Sequence, residues 1–436
     1  MKNFVLAAIL VLLGIGIVFY LLRPQPGEEV VEQTALSSPQ LQQISLYHYF
    51  SGPLSGGITE MIDAVNSRDA GFQVMAHALD HEAFKSMIHV TLAKETPPEL
   101  FTYWAGAKTQ ALVDQGKLQP IDDIWQTTPL TDRFNTPVTE TASTYNNKKF
   151  LLPITEHFIV FFYNRQVFEQ EGLSPPDTWP ELLTLAEKLK ANGTIPFALG
   201  AKERWPAQFW FDYLLLRTAG PEYRQALMEN KKKYTDPEVR KVYAMWGDLL
   251  QKGYFNEDAN DLDWNEAISQ VCSGKSAMTL MGTWAIPVLT GEKCGLAEES
   301  GFDFFVFPYT SAKVPKVALG PVDGLVLTKD SAGQQFAGHI LRYFSEVGPQ
   351  KRLSEGSGAF APNSLVPREF YTPLRQRIKK EIEASPYWAF NYDLATSSAV
   401  ADKGMDSFNE IIAFPDQDQE ILSNLQSEIE KLPIAQ

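Results

Sequence analysis

Several residue groups in this chain have the types needed for catalysis or metal binding, but the spacings that would put them to work are missing. Gly274-Lys275-Ser276 matches the end of a phosphate-binding loop. That loop needs another glycine five positions earlier, so that backbone N–H groups can wrap the phosphate, and the residue there is Ser269. His81-Glu82 opens like the helix of a zinc peptidase, in which a second histidine one turn later completes the ligand pair, but residue 85 is Lys. No G-x-S-x-G elbow presents a serine nucleophile. The 53 acidic residues leave a carboxylate pair for glycoside hydrolysis open without pointing to one. Cys272 and Cys294 have neither C-x-x-C spacing nor a histidine cluster, so no metal site and no cofactor is expected. In an oxidising compartment the two can pair, which the chain-entropy model credits with about 3 kcal/mol; the alternative is two buried free thiols.

Binding is a better match to the composition than catalysis. Aromatic residues make up 12% of the chain, and nine of them are Trp; most belong to cores, with a minority free to line a cleft. The net charge of −15 repels polyanions and argues against a nucleic-acid partner. With 44% hydrophobic and 21% charged residues the chain is globular, and 436 residues exceed what one hydrophobic core organises, so two or more lobes are expected.

The elements that must position a site alternate in type. Ile44–Phe50 reads as a strand running into the turn Ser51-Gly52-Pro53, followed by a helix through Ile58, Met61, Ile62 and Val65. Gly71–Ala76 is a second strand and Glu82–Leu92 a second helix. Glu99–Trp104 is a third strand, and Thr109–Gln115 a helix stopped by Gly116. Alternation of this kind implies a parallel sheet with helices on both faces. Ligands of such sheets sit beyond the carboxyl ends of the strands, which here are Tyr49–Ser51 and Tyr103–Gly106.

The N-terminus bears on location. Phe4–Leu22 is an unbroken apolar run between Lys2 and Arg23. As a helix it spans roughly 28 Å, close to the hydrocarbon thickness of a bilayer. It lacks an A-x-A cleavage pattern, so residues 1–23 are read as an uncleaved membrane anchor, the alternative being a long cleaved signal peptide. Either places the bulk of the chain outside the cytoplasm. Residues 24–40 are rich in Pro and polar residues, without apolar periodicity, and form a linker.

A longer pattern follows. Phe150-Leu151-Leu152-Pro153-Ile154 leads through Thr155-Glu156-His157 to Tyr163-Asn164-Arg165, then to Phe168-Glu169 and Gly172-Leu173. Pro175-Pro176 and Thr178-Trp179-Pro180-Glu181-Leu182 come next, with Thr178 and Glu181 forming a capping box. Later come Ser273-Gly274-Lys275-Ser276-Ala277-Met278 with Gly282-Thr283-Trp284, then Asp323-Gly324-Leu325-Val326-Leu327-Thr328, then Gly358-Ala359-Phe360-Ala361-Pro362-Asn363. In order and spacing this resembles the family 1 extracellular solute-binding proteins of ABC-type sugar importers, over about 41–436, with the monosaccharide receptors of that group nearest in pattern. The usual lipid-anchor cysteine is missing, and the apolar N-terminal run stands in its place.

The resemblance implies an α/β fold, a periplasmic-binding-protein-like (type II) two-lobe clamshell. Each lobe would be a mixed sheet flanked by helices, here with an N-terminal transmembrane helix. The first lobe would be 41–154 plus 308–346 and the second 155–307 plus 347–436, with crossings near Ile154, Pro308 and Val347. A pyranose offers apolar C–H faces and a rim of hydroxyls, so it needs rings to stack on and carboxylates or amides to bond. Trp284 stands where the family places a stacking ring, and His157 where glucose-type members carry a histidine. Asp323 suits a pair of hydroxyls. Glu156, Trp104 and Trp205 lie near the expected cleft, and Tyr49 and Asn363 are further candidates from their loops. Trp210, Lys231-Lys232-Lys233 and Asn192-Gly193-Thr194 read as core, solvated loop and helix end; Asp261–Trp264 reads as a loop, with a cleft group as the lesser alternative. The implied function is a non-enzymatic sugar receptor, its soluble part monomeric, whose partners are a small sugar and ABC permease subunits. A membrane sensor of the same fold and a carbohydrate hydrolase are the alternatives.

Overall fold

The computed structural model describes residues 41–433 apart from 69, 70, 330 and 332. The apolar run at 4–22 and the linker at 24–40 lie outside the described residues; among the described residues no helix is long and apolar enough to cross a membrane.

From Gln42 onward the chain forms one compact unit with two hydrophobic cores, one for each of two sheets. Three strands come first, β1 (Gln42–His48), β2 (Phe72–Ala78) and β3 (Leu100–Trp104). Each is followed by a helix or helical turn, as the alternation of apolar runs requires. A hairpin of β4 (Thr144–Tyr145) and β5 (Lys148–Lys149) leads to β6 (Leu151–Glu156) and at once to β7 (Ile159–Asn164). Then come β8 (Ile195–Ala198), β9 (Ser276–Gly282), β10 (Phe302–Phe305), β11 (Val317–Leu319), β12 (Val322–Leu327) and β13 (Tyr387–Ala389).

The first sheet has the order β2-β1-β3-β12-β6, with β1 parallel to β2 and β3, and β12 antiparallel to β3 and β6. The second has the order β10-β7-β9-β8, in which only the β8–β9 pair is parallel. Both sheets are therefore mixed. The antiparallel β12 matters for function: its first residues lie beside the last residues of β3, with Asp323 opposite Trp104.

Three chain segments cross between the lobes and are bonded to one another. Glu156 and Phe360 exchange backbone hydrogen bonds of 2.9 and 2.7 Å, and the His157 N–H donates to the Pro321 carbonyl at 3.1 Å. The first crossing lies next to the expected Ile154, but the other two are displaced. Phe307 and Val317–Leu319 still belong to the second core while Val322 belongs to the first, so the second crossing is at Gly320-Pro321 and not at Pro308. The helix Val347–Ser357 packs on the helix Gly56–Asn66 of the first lobe, which moves the third crossing from Val347 to the segment before Phe360. Two glycines permit that packing. A Cβ on Gly57 would come within 2.4 Å of the Arg352 carbonyl oxygen, and one on Gly356 within 2.2 Å of the Gly57 nitrogen. The two helices touch backbone to backbone, and no local feature of 347–357 announces it.

Cys272, at the end of the helix Trp264–Cys272, is joined to Cys294 by a disulfide across 22 residues. The loop it closes contains all of β9 and Thr283-Trp284. Replacing both cysteines by serine should cost about 3 kcal/mol in a denaturant melt, because the unfolded chain regains the loop entropy. Alkylation of the natively exported protein should find no thiol; two labelled cysteines would reject the link.

Candidate ligand-binding site

A cavity of about 250 Å³ lies between the lobes. The first lobe supplies residues from the carboxyl ends of its three parallel strands. Tyr49 follows β1, Asp80 and His81 follow β2, and Trp104 ends β3. Tyr49 and Trp104 stack face to face, with centroids 4.4 Å apart and planes 8° from parallel. His81 meets both rings edge-on at 5.6 and 5.4 Å. The Asp80 side chain caps the helix His81–Leu92 by accepting from the N–H groups of Glu82 and Ala83, which holds His81 and Lys85 toward the cavity.

Asp323 enters at the sheet edge because β12 runs against β3. Its side chain is 4% exposed, and its Oδ2 accepts from Thr155 Oγ1 at 2.7 Å. Its Oδ1 has no partner among the described residues. The Tyr49 hydroxyl, also unpartnered, faces the carboxylate without a hydrogen bond of good geometry. Burial pushes the Asp323 carboxyl up to about 6, against the bond from Thr155. His157 Nε2 stands 3.8 Å from Asp323 Oδ2, but burial holds this imidazole down to about 3, so it is neutral and the contact is no ion pair. His157 Nδ1 lies 2.9 Å from Thr283 Oγ1, and that oxygen already accepts from the Phe158 N–H. The arrangement favours a Thr283 hydroxyl that donates to Nδ1, leaving the Nε2–H turned toward the carboxylate.

The second lobe contributes three indoles. Trp284 follows the last residue of β9, Gly282, and its ring lies back across that glycine, where a Cβ would come within 2.1 Å of it. Any side chain at 282 would evict the ring, which explains the Gly-Thr-Trp order. Trp284 Nε1 is buried without a partner. Trp205 begins a short turn anchored through Arg204, whose guanidinium bonds Asp402 and Asp406 of the helix Ser398–Ala413. Trp264 is the first residue of its helix, projected by a capping box in which Asp263 and Glu266 bond each other's backbone N–H at 2.9 and 2.8 Å.

Two bridges run from lobe to lobe beside the cavity. Trp205 Nε1 donates to Glu82 Oε1 at 3.1 Å. Lys108 Nζ bonds Asp393 Oδ2 at 2.6 Å, and burial and Lys108 act in opposite senses on that carboxyl, Lys108 prevailing to hold it below the usual range. The strap Asn391–Leu394 that carries Asp393 is pinned to the second lobe by a buried ion pair. Arg224 donates to Asp212 Oδ1 at 2.7 and 2.8 Å and to the Phe390 carbonyl at 2.6 Å, and the Tyr392 N–H donates to Asp212 Oδ2 at 2.8 Å. Lys85 is held by Glu82 at 2.8 and 3.0 Å. Glu82 is pushed down to about 2 by bonds to His81 and Lys85 that outweigh its burial.

Of the residues expected from sequence, Tyr49, Trp104, His157, Trp205, Trp284 and Asp323 line this one cavity. Glu156 and Asn363 do not. Side chains alternate along β6, so Thr155 faces Asp323 and Glu156 points the other way, where burial raises its carboxyl to about 7. Asn363 is a turn residue: its amide donates to the Ser345 carbonyl at 2.7 Å, and its Oδ1 accepts from the Leu365 N–H. His81, Lys85, Lys108, Asn391 and Asp393 were not among the expected residues, and Trp264 was expected only as the lesser alternative for its segment. The first three stand on helices that follow parallel strands, and His81 in addition sits in the opening of an incomplete zinc-peptidase pattern. The Asp263–Glu266 capping box could have exposed Trp264. Nothing local marks Asn391 or Asp393.

Residues 60–346 match the family model described as bacterial extracellular solute-binding protein. An uncharacterised ABC transporter extracellular-binding protein of Pyrococcus horikoshii is 28% identical over 395 residues, 87% of this chain and 86% of the relative. A bacterial solute receptor with an exclusive substrate preference for β-D-galactopyranose superposes with a TM-score of 0.82 at 23% identity, covering 90% of this chain and 99% of that one. A chitin oligosaccharide binding protein superposes with a TM-score of 0.81 at 22% identity, covering 89% and 98%. The fold shared with these structures is the type II periplasmic-binding-protein fold.

The Asp323 carboxyl has a sharp consequence for stability. Its pKa in the fold, about 6, lies above the usual Asp value near 3.9, so the folded protein holds this proton more tightly than the unfolded chain. The stability it contributes is full below the unfolded value and is lost as pH rises through about 6. Asp323→Asn imitates the protonated group. It should therefore raise the melting temperature of the ligand-free protein at about pH 8, by an amount that shrinks as the buffer is taken down through pH 6. Melting curves of both proteins across that range check this; a difference independent of pH rejects it.

Proposed function

Since the chain belongs to the bacterial extracellular solute-binding proteins, we propose that it is a carbohydrate receptor that delivers its ligand, chemically unchanged, to an ABC importer. Family membership puts the folded unit outside the cytoplasm. The observation that carries the carbohydrate reading is the lining of the cavity, where the paired rings of Tyr49 and Trp104 stand on one lobe and Trp205, Trp264 and Trp284 on the other. Flat rings suit the C–H faces of a sugar, and the unpartnered Asp323 Oδ1, Tyr49 hydroxyl and Trp284 Nε1 suit its hydroxyls. The relatives support the same reading, one by its ABC transporter name and the two solved receptors by their sugar ligands.

Asp323 and Trp284 belong to opposite lobes, so a ligand touching both completes its contacts only in the closed form and draws the equilibrium toward it. Calorimetry with a panel of sugars should find one that binds the wild-type chain. Trp284→Ala should weaken that sugar roughly thirtyfold, on the order of 2 kcal/mol, as for a buried aromatic anchor. Unchanged affinity, or a collapsed melting curve, would assign Trp284 to the core and displace the site.

The same receptor is proposed to be tethered by the apolar run Phe4–Leu22, which carries no cleavage pattern. The mature protein should fractionate with membranes and retain its N-terminus. A mature sequence that starts beyond Arg23 rejects the tether and leaves the carbohydrate reading standing.

A further inference from the structure

We propose that the cavity is built for one neutral monosaccharide ring and rejects sugars bearing a carboxylate or phosphate, with Asn391 as an additional specificity residue. This rests on the carbohydrate reading above.

The first support is the way the charges are committed. The cavity is lined by two lysines, and both are engaged: Lys85 by the Glu82 carboxylate at 2.8 and 3.0 Å, and Lys108 by Asp393 at 2.6 Å. His81 Nδ1 lies 2.9 Å from Glu82 Oε1, so that nitrogen is also taken. Among the described lining residues, no cation is left for an anionic ligand. Among the described lining residues, the side-chain atoms buried without a partner are Asp323 Oδ1, Asn391 Oδ1, Trp284 Nε1 and the Tyr49 hydroxyl, the last of which faces the Asp323 carboxylate. Asp323 and Asn391 are 4% and 5% exposed. Two of the four atoms accept only, one donates only, and the hydroxyl does both. Sugar hydroxyls, which donate and accept, satisfy all four. A carboxylate or phosphate would instead place negative charge against Asp323 in a buried site, without compensation.

The second support is size. A volume of about 250 Å³ lies below the ~300–1,000 Å³ of pockets for drug-sized ligands. The Trp205–Glu82 and Lys108–Asp393 bridges cross from lobe to lobe beside it. An extended oligosaccharide would have to break them to be enclosed.

Asn391 owes its position to the Asp212–Arg224 pair, which fixes the strap from the second lobe. Its acceptor is thus set independently of Asp323, which is carried by the first lobe. A ligand meeting both must present two donors.

The test is calorimetry on the full-length protein with D-glucose, D-galactose, D-xylose, D-glucuronate, a hexose phosphate and maltotriose. At least one neutral monosaccharide should bind about tenfold or more tightly than glucuronate, the phosphate and maltotriose. Asn391→Ala should weaken that monosaccharide about tenfold while the melting temperature stays near wild type. Asp393→Asn releases Lys108 and should strengthen glucuronate about tenfold. Glu82→Gln, which releases Lys85, repeats that arm should Asp393→Asn fail to fold. Glucuronate or maltotriose binding the wild type as tightly as the best neutral monosaccharide overturns the inference and leaves the carbohydrate receptor intact. Folded charge variants that gain nothing for glucuronate overturn it as well. Binding of no sugar removes both.

Discussion

The backbone hydrogen bonds between Glu156 and Phe360, and between His157 and Pro321, draw three chain crossings into one narrow bridge on which the two lobes depend. The first two crossings each deliver a cavity-lining group within a few residues. His157 sits on the first, Asp323 starts the strand after the second, and Thr283 binds back to Phe158 of the first. The site and the hinge are therefore built from the same segments, and movement of one lobe against the other changes the distance between groups that a ligand must bridge.

Electrostatics in the cleft follow from burial. Asp323 is kept from water, and burial raises its carboxyl to about 6 despite the bond from Thr155; His157 beside it is held neutral by the same cause. The Lys108–Asp393 pair is different in kind, because Lys108 pulls the carboxyl down against burial and the two partners come from opposite lobes. A part-buried pair of this sort adds little net stability on its own, because the cost of desolvation offsets the attraction. It is better understood as a device for register between lobes than as a source of folding energy.

Packing separates the roles of the many aromatic residues. Trp210 lies in the second core against Phe161, Phe197 and Phe255, as its place in a ring-rich helix suggests. Trp284, also surrounded by rings, differs because it lies over Gly282 at the end of a strand and meets the cavity with its Nε1 unpartnered. The distinction between a core indole and a cavity-lining indole is thus made by the element that carries it and by the end of that element on which it stands.

The local sequence was enough to determine the alternation of strands and helices and the parallel run of the first three strands; the antiparallel strands that make both sheets mixed were implied only by the family resemblance. Apolar periodicity depends only on neighbours along the chain, and ligands of such sheets gather at the strand ends where Tyr49 and Trp104 stand. Capping boxes at Thr178–Glu181 and Asp263–Glu266 are legible for the same reason, since both partners lie within one turn. Only the tertiary structure decided what depends on distant segments meeting. The helix Val347–Ser357 joins the first lobe because Gly57 and Gly356 let two backbones touch, and Glu156 is excluded from the cavity by the side-chain alternation of β6. Asn391 and Asp393 reach the ligand space only through the Asp212–Arg224 pair and the Lys108 bridge, whose partners are separated by 12 and 285 positions. A strap held in that way has no period and no motif of its own, so its function becomes visible only when the chain is folded.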